Sequence, residues 1–253
     1  MAGCCDLNPK TMEMPLVTTG ERFYYRSYGL TVASQIRLPE LVEVEPTGEP
    51  DVLIEVEVEP TEEPPEYDSL GFDVFARDHA IFRFRDVGEL STREGRLMHV
   101  RTFAGADQKL LRGLITGQLF SSLLYQRDIV VIHASVVRMA EKTVGFVGLS
   151  GAGKSTMAVA CCRNGHGLLT DDTAALERTP EGYIVHAGFP HVKLSPEASE
   201  RLGLEDERFY TLNRYEAKKR GVRLDEHFVA DGQKIDTLYL LDEDADCRIE
   251  RTT

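Results

Sequence analysis

The run GLSGAGKST, Gly148 to Thr156, fits G-x-x-x-x-G-K-S/T at every fixed position. Glycines at those places let a backbone turn tightly and aim its N–H groups at phosphate oxygens. Gly148, Ser150, Gly151, Ala152, Gly153, Lys154, Ser155 and Thr156 are therefore the expected nucleotide-binding residues. Lys154 is placed to reach the β and γ phosphates of ATP, and Ser155 to ligate Mg2+. Further along, the apolar stretch LLTDD closes on Asp171 and Asp172. Carboxylates at the end of a strand stand where open α/β sheets bind ligands. There they can take a hydroxyl proton or hold a cation.

These residues need a scaffold that brings them together. TVGFVGL reads as a buried strand ahead of the loop, STMAVACCR as a helix after it, RNGHG as the helix end and LLTDD as the next strand. Strand, loop, helix and strand make one unit of about thirty residues. Before it, IVVIHASVVRM reads as a further buried strand carrying His133. Earlier still, ADQKLLRGLITGQLFSSLLYQRD repeats its leucines at three and four, an amphipathic helix with Asp107 near its start.

From 21 to 104 the period is two. DVLIEVEVEP alternates Ile54, Val56 and Val58 with glutamates until Pro60 stops it. The expected organisation is a disordered polar tail over 1–20, a mainly antiparallel β region over 21–104, and a P-loop domain of α/β (α+β) class over 105–253. Downstream, GYIVHAG reads as a strand and a Gly-Pro loop follows it. Ser195 then caps a helix with Pro196 in its first turn. RYEAKKRGVRL gathers Arg214, Lys218, Lys219, Arg220 and Arg223. It reads either as a solvated helix face or, through Lys219 and Arg220, as a phosphate or substrate contact. TLYLLDEDAD reads as a final buried strand.

Composition limits what this scaffold can meet. A formal charge of −13 over 253 residues repels nucleic acid and anionic membrane. No basic-then-apolar leader and no long apolar run is present, so a cytoplasmic setting is expected. The five cysteines lack metal-ligand spacing, and Cys161 and Cys162 read as small apolar side chains on a helix.

The order of IHASVV, GLSGAGKST and GHGLLTDD resembles the HPr kinase/phosphorylase superfamily of P-loop serine kinases, related to phosphoenolpyruvate carboxykinase. The earlier YRSYGLTVASQIRLPEL and DVLIEVEV are similar to the opening of small HPr-kinase-like proteins, including kinases of lasso-peptide precursors. The resemblance implies an HPr-kinase/carboxykinase-like fold for the P-loop domain. It also implies transfer of the γ-phosphate of ATP, with Mg2+, to a serine-type hydroxyl of a peptide or protein. Asp171 is then the general base, Asp172 supports metal and phosphate, and His133 lies near the transferred group. Thr156 stands where the bifunctional enzymes carry Glu, and Thr173 where they carry Arg, which favours a monofunctional kinase over phosphorolysis. The alternatives are a nucleotide-gated binding protein and a kinase of a small molecule such as free serine. Self-association is left open, and the resemblance carries the expectation that relatives continue into further helix beyond this C-terminus.

Overall fold

The computed structural model describes residues 21–67, 71–204, 209–211, 218–242 and 249–250. The expected N-terminal tail, Arg214, Cys4, Cys5 and Cys247 lie outside those residues. The described chain is mixed α/β, mostly strands arranged in several sheets.

Residues 23–103 form β1 (Phe23–Ser27), β2 (Leu30–Ser34), β3 (Val42–Glu43), β4 (Val52–Glu59), β5 (Gly71–Phe75), β6 (His79–Phe84), β7 (Gly88–Arg93) and β8 (Leu97–Phe103). They make one eight-stranded sheet in the order β3-β1-β2-β4-β8-β7-β6-β5. The β2–β4 and β4–β8 pairs run parallel and the others antiparallel, so the region is mainly antiparallel with a parallel seam at its centre. The period-two pattern in β4 does what it predicts: Val52, Ile54 and Val56 are buried while Glu57 is exposed.

The segment after 105 is a helix in three parts: α1 (Gln108–Leu114), a π turn (Ile115–Leu119) and α2 (Phe120–Gln126). Asp107 caps it, its side chain accepting from Leu110 N at 3.0 Å. Leu111, Ile115, Leu119, Phe120, Leu123 and Leu124 bury themselves against the eight-stranded sheet with Val32, Ile54 and Phe82. Each such side chain contributes roughly 1.5–3 kcal/mol by leaving water. Arg112 and Glu40, both buried, pair at 2.9 Å and tie the helix to the β2–β3 connection.

The remaining strands form smaller sheets. β10 (Ala134–Met139), β11 (Lys142–Val147), β12 (Gly167–Thr170) and β19 (Thr237–Leu240) make one, in the order β12-β10-β11-β19, with α3 (Lys154–Arg163) crossing from β11 to β12. β9 (Val130–Ile132), β13 (Ala174–Thr179), β14 (Gly182–His186) and β18 (Gln233–Lys234) make a second. β15 (His191–Leu194), β16 (Phe209–Thr211) and β17 (Arg220–Arg223) make a third. Among the described residues no helix is long and apolar enough to cross a membrane.

Four local expectations need correction. IVVIHASVVRM is two strands in different sheets, broken at His133, because the chain bends there to pass from β9 to β10. HVKL, expected as loop, is β15, and RGVR is the strand β17 rather than a helix face. TLYL forms β19, but among the described residues it is an edge strand paired to β11, and Leu238 and Leu240 are exposed rather than buried. Ser195 caps α4 (Pro196–Arg201) as expected, accepting from Ala198 N at 3.2 Å. Cys161 and Cys162 are free thiols on α3 packed into an apolar core, and burial pushes the Cys162 thiol up to about 12.

Candidate functional site

β10 runs antiparallel to both β11 and β12, pairing Ala134 with Val147 and Val136 with Thr170. The start of β10 therefore lies at the same sheet edge as the ends of β11 and β12. That edge collects the glycine loop after β11, the two aspartates after β12, and His133 and Ser135 at the start of β10.

Gly151 and Gly153 each adopt φ +92, a left-handed conformation that favours glycine, and space is open where a side chain would stand on either. That open space, next to the start of α3, leaves room for phosphate oxygens. No side chain caps the helix at Gly153, so its first-turn N–H groups stay free for an anion. Lys154 is buried, and its Nζ donates to Gly148 O and Leu149 O, each at 2.8 Å. The loop thus holds its own ammonium in place beneath the mouth.

The two aspartates sit in different surroundings. Asp171 is buried, and its carboxylate accepts from Ser135 Oγ at 2.5 Å and from Ser155 Oγ at 2.9 and 3.1 Å. Burial raises its pKa above the ordinary carboxylate range, opposed by the Ser135 and Ser155 bonds. Asp172 is half-exposed. Burial acts to raise its pKa, but the positive charges of Lys193, His133 and Lys219 outweigh it and hold the carboxyl below the usual range. Lys193 Nζ lies 3.2 Å from Asp172 Oδ2, and His133 Nδ1 lies 2.8 Å from the Asp172 carbonyl oxygen and 3.1 Å from Oδ1.

Asp172 also bends the chain. Its φ is +70, and Thr173 N donates to Asp171 O at 2.8 Å. This makes a γ-turn of the rare left-handed kind, a strain of about 1–3 kcal/mol that only a determined environment retains. The Thr170 hydroxyl closes the turn by donating to Thr173 O at 2.6 Å.

Among the described residues no cluster of three or more His, Cys, Asp or Glu side chains is arranged for a metal. Mg2+ needs few protein ligands when phosphates supply the rest. Ser155 and Asp171, already bonded to each other, fit that demand. The Asp172 carboxylate lies beside Lys193 and His133. Lys219 lies within electrostatic reach of Asp172. Arg220 opens β17 opposite Leu194, one register step from Lys193.

From sequence Ser135 and Lys193 carry no assigned role, although the segment around Lys193 resembles a loop of kinase-like relatives. Ser135 was legible, since alternation puts it on the face of His133. Lys193 was not, because its strand is too short to announce itself. Nearby, burial pushes the His191 pKa down to about 3, with the charges of Lys193 and Arg223 adding to the effect. Above pH 6.5, its ordinary pKa, His191 is neutral whether folded or not. Below that the unfolded chain takes a proton that the fold refuses, so stability falls by up to about 1.4 kcal/mol per pH unit. Thermal unfolding should show the midpoint falling between about pH 7 and about pH 5, with His191→Gln flattening the fall.

No protein-family model matches the sequence, and neither does any curated protein. Among solved structures, the Hpr(Ser) kinase/phosphatase from Coxiella burnetii is similar with 15% sequence identity and a TM-score of 0.33, covering 48% of this chain and 71% of that chain.

Proposed function

We propose that this chain is an ATP-dependent kinase that passes the γ-phosphoryl group to a serine-type hydroxyl of a peptide or protein. Lasso-peptide precursors are among the acceptors to try. One observation carries the proposal: the glycine loop, the Ser155–Asp171 pair and the His133–Asp172 pair meet at one end of the β12-β10-β11-β19 sheet, with Lys193 reaching Asp172 from β15. A nucleotide-binding module alone has no need of a carboxylate held in a strained turn at the mouth.

The chain's own groups divide the work as follows. The loop N–H groups and Lys154 bind and orient the phosphates. When bound between Ser155 and Asp171, Mg2+ would neutralise charge on the phosphate oxygens as a Lewis acid. Asp172, half-exposed, is the carboxylate that an incoming hydroxyl can reach, and it takes the proton as the new P–O bond forms and ADP departs. His133 and Lys193 fix its orientation. This assignment exchanges the two aspartate roles that the family resemblance implies. The exchange is supported by which carboxylate bonds Ser155 and which one faces outward.

The test is transfer from γ-labelled ATP, with Mg2+, into candidate peptides and proteins and into free serine. The proposal expects label on a hydroxyl. Nucleotide bound without transfer to any acceptor would favour a nucleotide-gated binding protein.

A further inference from the structure

Tyr28, at the tip of the β1–β2 hairpin, brings the eight-stranded sheet to the aspartate turn. Tyr28 and Gly29 form its two-residue turn with φ +52 and +75. An aromatic side chain at positive φ is uncommon and strained. The side chain is also buried, and among the described residues its hydroxyl has no partner of hydrogen-bond geometry. Two unfavourable features at one residue call for a compensating role.

The surroundings show where that role lies. Tyr28 N donates to Ala187 O at 2.7 Å and Ser27 Oγ to Gly188 O at 3.2 Å, so the hairpin tip is fastened to the β14–β15 connection. Gly188 N in turn donates to Leu169 O at 2.9 Å, on the strand that ends in the aspartates. The ring packs on Phe120 at 5.4 Å and edge-on to Phe189 at 6.2 Å. The Thr173 and Thr170 side chains lie beside its hydroxyl, and both aspartates are within electrostatic reach of it. Gly188 is confined between them: a methyl on it would stand 2.5 Å from Thr170 Oγ1 and 3.2 Å from Tyr28 Cε1.

We infer that the Tyr28 ring is a prop for the strained Asp171–Asp172–Thr173 turn, a positioning residue through which the eight-stranded sheet sets the reach of the Asp172 carboxylate. The prop acts through the ring, which packs on Phe120 and Phe189 and against Gly188, the residue that stands between it and Thr170. Removing the ring lets the γ-turn relax, while removing only the hydroxyl does not. The catalytic consequence rests on the kinase proposed above.

The assay uses the full chain and Mg-ATP, with water standing in for the acceptor hydroxyl and phosphate release as the readout. Tyr28→Leu should lower the saturated rate on the order of tenfold while calorimetric ATP affinity stays within about twofold, a loss confined to the catalytic step. Tyr28→Phe should keep the rate within about threefold and melt close to wild type, since the ring and its packing on Phe120 and Phe189 remain. If Tyr28→Leu does not fold, Gly188→Ala, which wedges a methyl beneath Thr170, serves in its place with the same expected loss.

The His133 ring 15N resonances give a reading that needs no turnover, because Nδ1 meets the Asp172 carbonyl. They should move in Tyr28→Leu and Gly188→Ala but not in Tyr28→Phe. Wild-type rates and unmoved resonances in both disruptive variants would overturn the prop, as would loss of ATP affinity in step with the rate. Wild type that binds ATP but neither releases phosphate to water nor transfers it to any acceptor would end the kinase proposal, and the His133 resonances would still decide the prop.

Discussion

Lys154→Ala should lower ATP affinity by at least about 100-fold and abolish phosphoryl transfer, the largest single effect expected in this protein. The ammonium is held at the loop by Gly148 O and Leu149 O. No other lysine or arginine belongs to the loop, and Lys193, at the same site, is engaged with Asp172. Lys154→Met, which keeps the buried stem and removes only the charge, separates the electrostatic loss from a packing defect. Both variants should fold as wild type does and bind ATP weakly when measured by calorimetry. Unchanged affinity with unchanged turnover would remove the loop from the site.

The aspartates should then part company. Asp172→Asn should leave ATP affinity within a few-fold but lower transfer by about 100-fold or more, the range for losing a general base. Extra Mg2+ should not restore it. Asp171→Asn should instead raise the Mg2+ concentration for half-maximal rate, and added metal should recover part of the activity. The difference follows from position: Asp171 is bonded to Ser155 inside the fold, and Asp172 stands at the mouth beside His133 and Lys193. Steady-state rates across a Mg2+ series measure both. Metal rescue of Asp172→Asn and none of Asp171→Asn would restore the roles that the family resemblance implies. Equal small effects would leave the pair as a solvated strand end.

The residues that could be read ahead of the structure are those whose chemistry is local in the chain. The loop declares itself because the function proposed for it uses consecutive backbone N–H groups, which fixes the spacing of Gly148, Gly153, Lys154 and Ser155. Asp171 and Asp172 follow from the strand that precedes them. The amphipathic helix and its Asp107 cap follow from a period that twenty residues repeat. Ser135 needed only the alternation of a strand already recognised.

What stayed hidden depends on partners distant in sequence. Lys193 meets Asp172 across 21 residues, through a four-residue strand whose pairing is with Arg220–Arg223. Ser27 meets Gly188 across 161 residues, and Tyr28 sits beside it, so nothing within either segment points to the other. β19 was misplaced for a different reason. Its apolar run favours a strand, but burial depends on what lies outside it, and as an edge strand it leaves Leu238 and Leu240 exposed.

The central claim is that this sheet edge moves a phosphoryl group rather than merely holding a nucleotide. Mass spectrometry after incubation with ATP, Mg2+ and the products of neighbouring genes tests it most directly. The account predicts a gain of about 80 Da, one phosphoryl group, on a serine-type hydroxyl of one peptide or protein, abolished in Lys154→Ala. ATP bound with Mg2+ dependence, but with no phosphoryl gain on any component and no phosphate released to water, would contradict it.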